Sequence, residues 1–359
     1  HSDGGCPNLL LEPERTNLLP YSEDFKNAAW SKANVTISPD SIISPDGTLN
    51  ADKITDDSTS GVHRIQDGIT TSSSGDFTYS VFLKKGTLTT AYIQVFNGGT
   101  ASTADVDLDN GTISGGLGFN HKIEDYGNDW YRCSISGNLS STSTTVYIYT
   151  KQQQAYIGSE DYSYVYGAQL EEGSYATSYI PTDGSTVTRV AEVCNGAGDV
   201  STFNSSEGVL FIDMSALEWG ASANQQISLS DGSGDNRIMI YPYSETQLGL
   251  RFNANTSQLV SQILTVSSLS VSSKIAVRWG NGNYSIYQNG SFIYTQAIAS
   301  YPIGLSKLNF SSVTETSSFY GKTKQVQVFK TALTDAELIA LTSWSSFTEM
   351  ATALKYSIK

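Results

Sequence analysis

Cysteine and histidine are scarce in this chain. Its three cysteines, Cys6, Cys133 and Cys194, form no Cys-x-x-Cys, and its three histidines are too dispersed for a zinc-site spacing. Cys133 lies in Trp130-Tyr-Arg-Cys-Ser-Ile-Ser and reads as a buried strand thiol. Cys6 and Cys194 both flank domain starts. They could pair, but free thiols are the expectation. No apolar run reaches about 18 residues, so no membrane insertion is expected. Basic residues are few: 21 Lys and Arg against 35 Asp and Glu leave a net charge of −14. Such a surface repels phosphate backbones and anionic membranes, which removes nucleic acid from the expected partners. Residues 1–5, His-Ser-Asp-Gly-Gly, show neither an initiator Met nor a signal peptide; a processed chain, or a piece of a longer one, is expected.

Catalytic signatures are missing too. No Gly-x-Ser-x-Gly elbow occurs, and the second half lacks a Glu-x-Asp-x-x-Glu set. The acid pairs Glu124-Asp125 and Glu160-Asp161 are adjacent in sequence, and neighbours on a strand point to opposite faces. They do not make the facing carboxylates that glycoside hydrolysis needs. No enzyme is expected.

What remains is rich in Ser, Thr, Gly, Val, Ile and, above all, Tyr, of which there are 21. Strand-length runs recur between turn clusters: Phe77-Thr-Tyr-Ser-Val-Phe-Leu-Lys, Ala91-Tyr-Ile-Gln-Val-Phe, Thr144-Thr-Val-Tyr-Ile-Tyr, Gly208-Val-Leu-Phe-Ile-Asp-Met and Ile275-Ala-Val-Arg-Trp. This spacing predicts an all-β chain of two sandwich (jelly-roll) domains. Thr78 and Ser80 alternating with Tyr79 and Val81 suggest one buried and one wet face. Ser22-Glu-Asp-Phe suggests one helical turn capped by Ser22, with Phe25 and Trp30 plugging one end of a sandwich. Asn289-Gly290 predicts a hairpin. Thr334, three residues before Glu337, forms a capping box that opens a helix, and Ser346–Lys355 reads as a second one.

The stretch Tyr166–Arg189 joins the two strand blocks. Pro181 and Asp183-Gly184 are turn chemistry, so this stretch reads as the closing strand of one domain and the joint to the next. The expected division is an extended arm over 1–15 anchored by Leu9, Leu10 and Leu11, a sandwich over 16–183, a second over 184–335, and C-terminal helices over 336–359.

Two segments carry a resemblance. Cys6-Pro-Asn-Leu-Leu-Leu-Glu-Pro-Glu-Arg-Thr-Asn-Leu-Leu-Pro-Tyr-Ser-Glu-Asp-Phe with Trp30, and Gly167-Ala-Gln-Leu-Glu-Glu-Gly-Ser-Tyr-Ala-Thr-Ser-Tyr-Ile-Pro-Thr, resemble the opening and close of a module of tailed-phage and prophage structural proteins. That module is similar to carbohydrate-binding-module jelly rolls. The second half, through Gly208-Val-Leu-Phe-Ile-Asp, Tyr287-Gln-Asn-Gly-Ser and Val326-Gln-Val-Phe-Lys-Thr-Ala-Leu-Thr-Asp-Ala-Glu-Leu, resembles concanavalin A/laminin-G-like sandwiches. The resemblance implies a virion surface protein, a fibre, spike or head decoration that binds host-cell glycans beside other virion proteins and forms a homo-oligomer. Its rivals are a purely structural capsid-decorating protein and a secreted bacterial polysaccharide-binding module. It also implies a structural calcium ion (Ca2+) near Gln169 or Glu171. Two other acid clusters invite the same thought: Asp105-Val-Asp-Leu-Asp-Asn-Gly, better read as a strand end and turn, and Asp231-Gly-Ser-Gly-Asp235.

Sugar recognition needs aromatic platforms with amide and carboxylate partners. The candidates are Tyr92, Trp130, Tyr147, Tyr149, Tyr241, Trp279 and Tyr284, with Tyr126, Trp219 and Tyr243 beside them. Tyr147 and Tyr149 share a face opposite Val146 and Ile148, and the sequence leaves open which face is wet.

Overall fold

The computed structural model describes residues 8–71, 73–98, 101–116, 118–220, 225–344 and 349. The chain is all-β, with one short helix near its C-terminus among the described residues. It divides into two compact units. One runs over Glu14–Val190; the other takes Ala191–Lys359 together with the N-terminal stretch that ends at Pro13.

The Glu14–Val190 unit is a sandwich of two six-stranded antiparallel sheets. Sheet I has the order Asn120–Asp125, Trp130–Leu139, Gly75–Lys85, Tyr162–Glu172, Leu49–Asp56 and Val35–Ile43. Sheet II has the order Thr112–Gly115, Ala101–Asp107, Thr90–Phe96, Ser143–Tyr149, Arg64–Thr70 and Ser31–Ala33. Alternate residues of both meet in one core that includes Tyr79, Val81, Leu83, Ile93, Val95, Cys133, Val146, Ile148 and Leu170. Phe25 and Trp30 join it fully buried, 5.0 Å apart between ring centres.

Sheet I departs from the alternation expected of it. Thr78 and Ser80 are as buried as Tyr79 and Val81. The chain beyond Glu172 folds back over the outer face of this sheet, so the strand Gly75–Lys85 is covered on both sides. Thr78 donates its hydroxyl to the Gly173 carbonyl, and Arg132 reaches both the Thr177 carbonyl and the Ser80 hydroxyl. The strand Tyr162–Glu172 carries a register shift between Tyr166 and Gln169. Gly167 sits in that irregularity at φ 59°, close against the Phe82 ring, where a side chain would both strain the backbone and collide.

Ser22 does not cap a helical turn. Its hydroxyl belongs to a clasp with Thr182: the Thr182 amide donates to Ser22 Oγ at 2.8 Å, and the Ser22 amide donates to Thr182 Oγ1 at 3.0 Å. Asp24 instead closes the local turn by accepting from the Asn27 amide.

The second unit is also a sandwich. Sheet III has the order Leu9–Leu11, Gly321–Phe329, Gly208–Ala216, Ser273–Gly280, Asn283–Gln288 and Ser291–Ala297. Sheet IV has the order Ser257–Thr265, Gln247–Ala254, Arg237–Ser244, Ile227–Ser230 and Lys307–Asn309. The expected extended arm contributes the edge strand Leu9–Leu11 to this unit. Only Leu11 of the three reaches the core; Leu9, two residues back on the same strand face, is 39% exposed. Val209 and Phe211 face away from the main core and are covered by Leu338 and Leu341 of the helix Asp335–Ser343. Burial on both faces explains the uninterrupted Val-Leu-Phe-Ile run. The capping box is present in full, with Thr334 accepting from the Glu337 amide and Glu337 from the Thr334 amide. Asn289 and Gly290, at φ 47° and 79°, make the two-residue hairpin turn. The second helix expected over Ser346–Lys355, Glu349 apart, and the Cys6 half of any Cys6–Cys194 pair lie outside the described residues.

Candidate functional site

Most of the aromatic candidates prove to be structural. Trp279 and Tyr284 are wholly buried in the core of the second sandwich, where the Trp279 indole donates to the Asn204 carbonyl at 2.9 Å. Tyr241 is 4% exposed and packs with Met239 and Tyr243. Trp130 is 2% exposed and donates to the Ile43 carbonyl. These four are corrections to the expected sugar platform: rings with this little surface serve packing. Tyr126 and Trp219 are exposed, and Tyr126 stands edge-on to Phe82.

Tyr92, Tyr147 and Tyr149 do come together. Alternation puts Ile93, Val95, Val146 and Ile148 into the core, so the tyrosines lie on the outer face of sheet II, where Tyr147 is half-exposed while Tyr92 and Tyr149, at 8% and 2% exposure, are covered by their neighbours and back it. Register sets them in rows across the strands. Tyr92 faces Tyr149, which faces Arg64; in the next row Thr103 faces Gln94, then Tyr147, then Gln66. Tyr147 and Tyr149 are stacked at 5.8 Å and 21°, and Tyr92 meets Tyr149 edge-on at 5.4 Å. The Arg64 guanidinium lies 4.9 Å from the Tyr147 ring centre and 5.7 Å from that of Tyr149.

Hydrogen bonds fix the set. Tyr149 donates to Gln94 Oε1 at 2.7 Å and receives Arg64 Nη1 at 3.3 Å. Gln153, from the loop that follows, reaches Gln94 and accepts from Tyr92. Burial pushes the Tyr92 and Tyr149 hydroxyls above the usual phenol range, so both stay protonated donors. Tyr147, Arg64 and Gln66 are half-exposed, and exposed Phe96 lies one row away. Arg64, Gln94 and Gln153 were not singled out from sequence. Arg64 follows His63 in a short run with no signal of its own, and only cross-strand register places it beside the tyrosines.

Gln169 and Glu171 have a different role from the expected cation site. Both are wholly buried. Glu171 accepts from the Gln169 amide at 2.6 Å, from the Thr177 amide at 2.9 Å and from the Thr177 hydroxyl at 2.6 Å, with Arg15 Nε at 3.9 Å. Gln169 Oε1 accepts from the Ile180 amide. Asn17 completes the clasp, donating to the Ala168 and Ile180 carbonyls and accepting from the Leu19 and Leu170 amides. Protein donors occupy the oxygens that a cation would need, and no cluster of three or more His, Cys, Asp or Glu positioned for a metal occurs among the described residues. Asp107 closes its own turn with Asp109 and Asn110, and Asp231 is held by Ser233 and Asn236. A cleft of about 400 Å³ beside the clasp is lined by Arg15, Thr16, Leu18, Phe77 and Glu172. Arg15 there is already engaged with Glu171 and Tyr175.

No protein-family model matches the chain, and no curated protein does. Among solved structures it is similar to the CBM40 of Ruminococcus gnavus IT-sialidase bound to alpha2,3 sialyllactose, at 19% identity over 42% of this chain and 95% of that one, with a TM-score of 0.35. A SAP-like pentraxin from Limulus polyphemus matches at 14% identity over 43% of this chain and 76% of that one, TM-score 0.34. Domains LG4-5 of the mouse laminin alpha1 chain match at 9% identity over 76% and 86%, TM-score 0.28. Scores this low carry no weight for function, which has to be argued from the side chains themselves.

Proposed function

We propose that this chain is a non-enzymatic carbohydrate-binding protein that takes a glycan across the outer face of sheet II. The observation behind the reading is the Tyr147–Tyr149 stack with Arg64 lying over both rings and with Gln94 and Gln153 tied to the hydroxyls. These groups face away from the core, yet they are ordered by one another. A pre-bonded face of rings, amides and one guanidinium suits a ligand with apolar C–H patches and many hydroxyls, because little side-chain freedom remains to be lost on binding. An array of bacterial polysaccharides and host glycans at multivalent density, probed with the full chain and with Tyr147→Ala, tests it. Binding that is lost in the variant is expected; no binder, or equal binding by the variant, overturns it.

The setting we propose is the surface of a phage particle, in an oligomer that multiplies weak sugar contacts. Its support is the sequence resemblance at the two ends of the first sandwich. Immunogold labelling of particles with an antibody against the chain checks it, and unlabelled particles overturn it.

A further inference from the structure

The outer face of sheet IV holds a second cluster that the glycan reading of sheet II does not use. Ile238, Ile240, Leu248, Leu250 and Phe252 point into the core of that unit, so Arg237, Met239 and Arg251 point outward. Register sets Arg237 opposite Asn253 and Met239 opposite Arg251. The two arginines are therefore diagonal neighbours on one face, roughly 7 Å apart at their Cβ atoms. Ser230 lies opposite Arg237 on its other side, and Lys307 lies opposite Ser230, so a third cation stands in the same row.

Both guanidiniums are half-buried, and neither forms an ion pair or a hydrogen bond among the described residues. The Nε atom of each is buried without an acceptor. Nearby carboxylates do not neutralise them. Asp231 is held by Ser233 and Asn236, and Asp235 bears on Arg237 only at a distance. Burial and the neighbouring Arg251 both press against the Arg237 charge. Two desolvated like charges side by side are unfavourable on their own, and they are unexpected on a chain of net charge −14. The loop Asp231-Gly-Ser-Gly-Asp235 borders them. A Cβ at Gly234 would stand 4.0 Å from Arg237 Nη1, and one at Gly232 3.8 Å from Lys307 Nζ, so the loop packs against both cations.

We propose that Arg237 and Arg251, with Lys307 at the rim, form an oxyanion site for a carboxylate or sulfate group carried on an acidic polysaccharide. A guanidinium fork matches either group with two parallel N–H donors, which a lone ammonium cannot do. An oxyanion between the two forks removes their repulsion and supplies acceptors to both guanidiniums. The surrounding negative field opposes any polyanion, and a duplex nucleic acid, with one charge per about 1.7 Å, meets it more strongly than a polyuronate with one carboxylate per sugar. This site is independent of the sheet II face and needs neither Tyr147 nor Arg64.

The test is calorimetric titration of the full chain with polygalacturonate, dextran sulfate, inorganic sulfate and, as a neutral control, dextran. Saturable binding of an acidic polymer that weakens with added salt is expected. Arg237→Gln and Arg251→Gln together are expected to weaken it at least about tenfold, the scale of one lost charge-assisted contact. Lys122→Gln, which removes an exposed charge on sheet I, is expected to leave it unchanged. Arg237→Lys, which keeps the charge and loses the fork, is expected to fall between. Removing the repulsion leaves the glutamine variants at least as stable as the parent, and thermal melting confirms that they fold. Binding of inorganic sulfate with no gain from either polymer identifies a free anion as the ligand and overturns the polysaccharide assignment. An unchanged affinity in the double variant, or no binding of any of the three anions, overturns the site.

Discussion

Glu171 and Thr177 grip each other twice: the Thr177 amide and hydroxyl both donate to the Glu171 carboxylate, at 2.9 and 2.6 Å. With Gln169 and Arg15 beside them, this pair fastens the exit of the first sandwich across its own outer face. Glu171→Ala is expected to cost about 3 kcal/mol, because it orphans buried donors and leaves Arg15 without its carboxylate. Urea denaturation followed by tyrosine fluorescence reads the loss. A variant as stable as the parent would show that the clasp is decorative.

At the glycan face, Arg64 acts as a flat plate as well as a charge, since it lies over two rings. Arg64→Lys is therefore not conservative there, and an affinity loss of about tenfold is expected for any glycan the parent binds. Full retention with lysine would reduce its role to charge alone.

Trp279 offers the converse prediction. Trp279→Phe shrinks a fully buried ring and removes the hydrogen bond to Asn204, so a stability loss of about 2 kcal/mol is expected. Glycan binding should stay as it was. A selective binding defect in a stably folded variant would return Trp279 to the list of ligand contacts.

Asp67 makes the first sandwich sensitive to pH. It is 6% exposed, and burial pushes its carboxyl up to about 6, opposed by the Gly68 amide. The unfolded value is about 3.9, so the folded state holds this proton more tightly. The resulting stability is fully present below about pH 4 and is lost as pH rises towards 6. Asp52, also pushed up to about 6 by burial, acts in the same window and direction. Relative to the parent, Asp67→Asn should gain on the order of 2 kcal/mol between pH 4 and pH 7. Denaturant midpoints of the two proteins at both values check it, and a constant difference between them refutes it.

The helix Asp335–Ser343 depends on its N-cap. Thr334→Ala removes the acceptor for the Glu337 amide and should cost about 1 kcal/mol. Hydrogen exchange should quicken in the helix while the Gly208–Ala216 strand, two layers of packing deep, stays protected.

Local signals were legible wherever one short stretch suffices. The capping box at Thr334, the Asn289-Gly290 turn and the Phe25–Trp30 plug need only their own neighbours. Ser22 misled because its hydroxyl had two possible clients, and Thr182, 160 residues away, took it. The apolar Leu9-Leu-Leu run reads as an anchor, yet only Leu11 is buried; Leu9, on the same face of the strand that pairs with Gly321–Phe329, stays 39% exposed.

The sequence by itself determined an all-β chain. Period-two alternation, turn chemistry and a shortage of helix formers act over a few residues, and they need no partner to be read. It also marked Tyr92, Tyr147 and Tyr149, though not the face they would occupy. Only the tertiary structure decided that those rings turn outward while Trp279 and Tyr284 turn inward. It alone brought Arg64 onto the tyrosines, Arg237 beside Arg251, and Glu171 onto Thr177 rather than a cation. These pairings depend on which strands become neighbours and in what register, and a strand's pattern of side chains is the same whichever neighbour it meets.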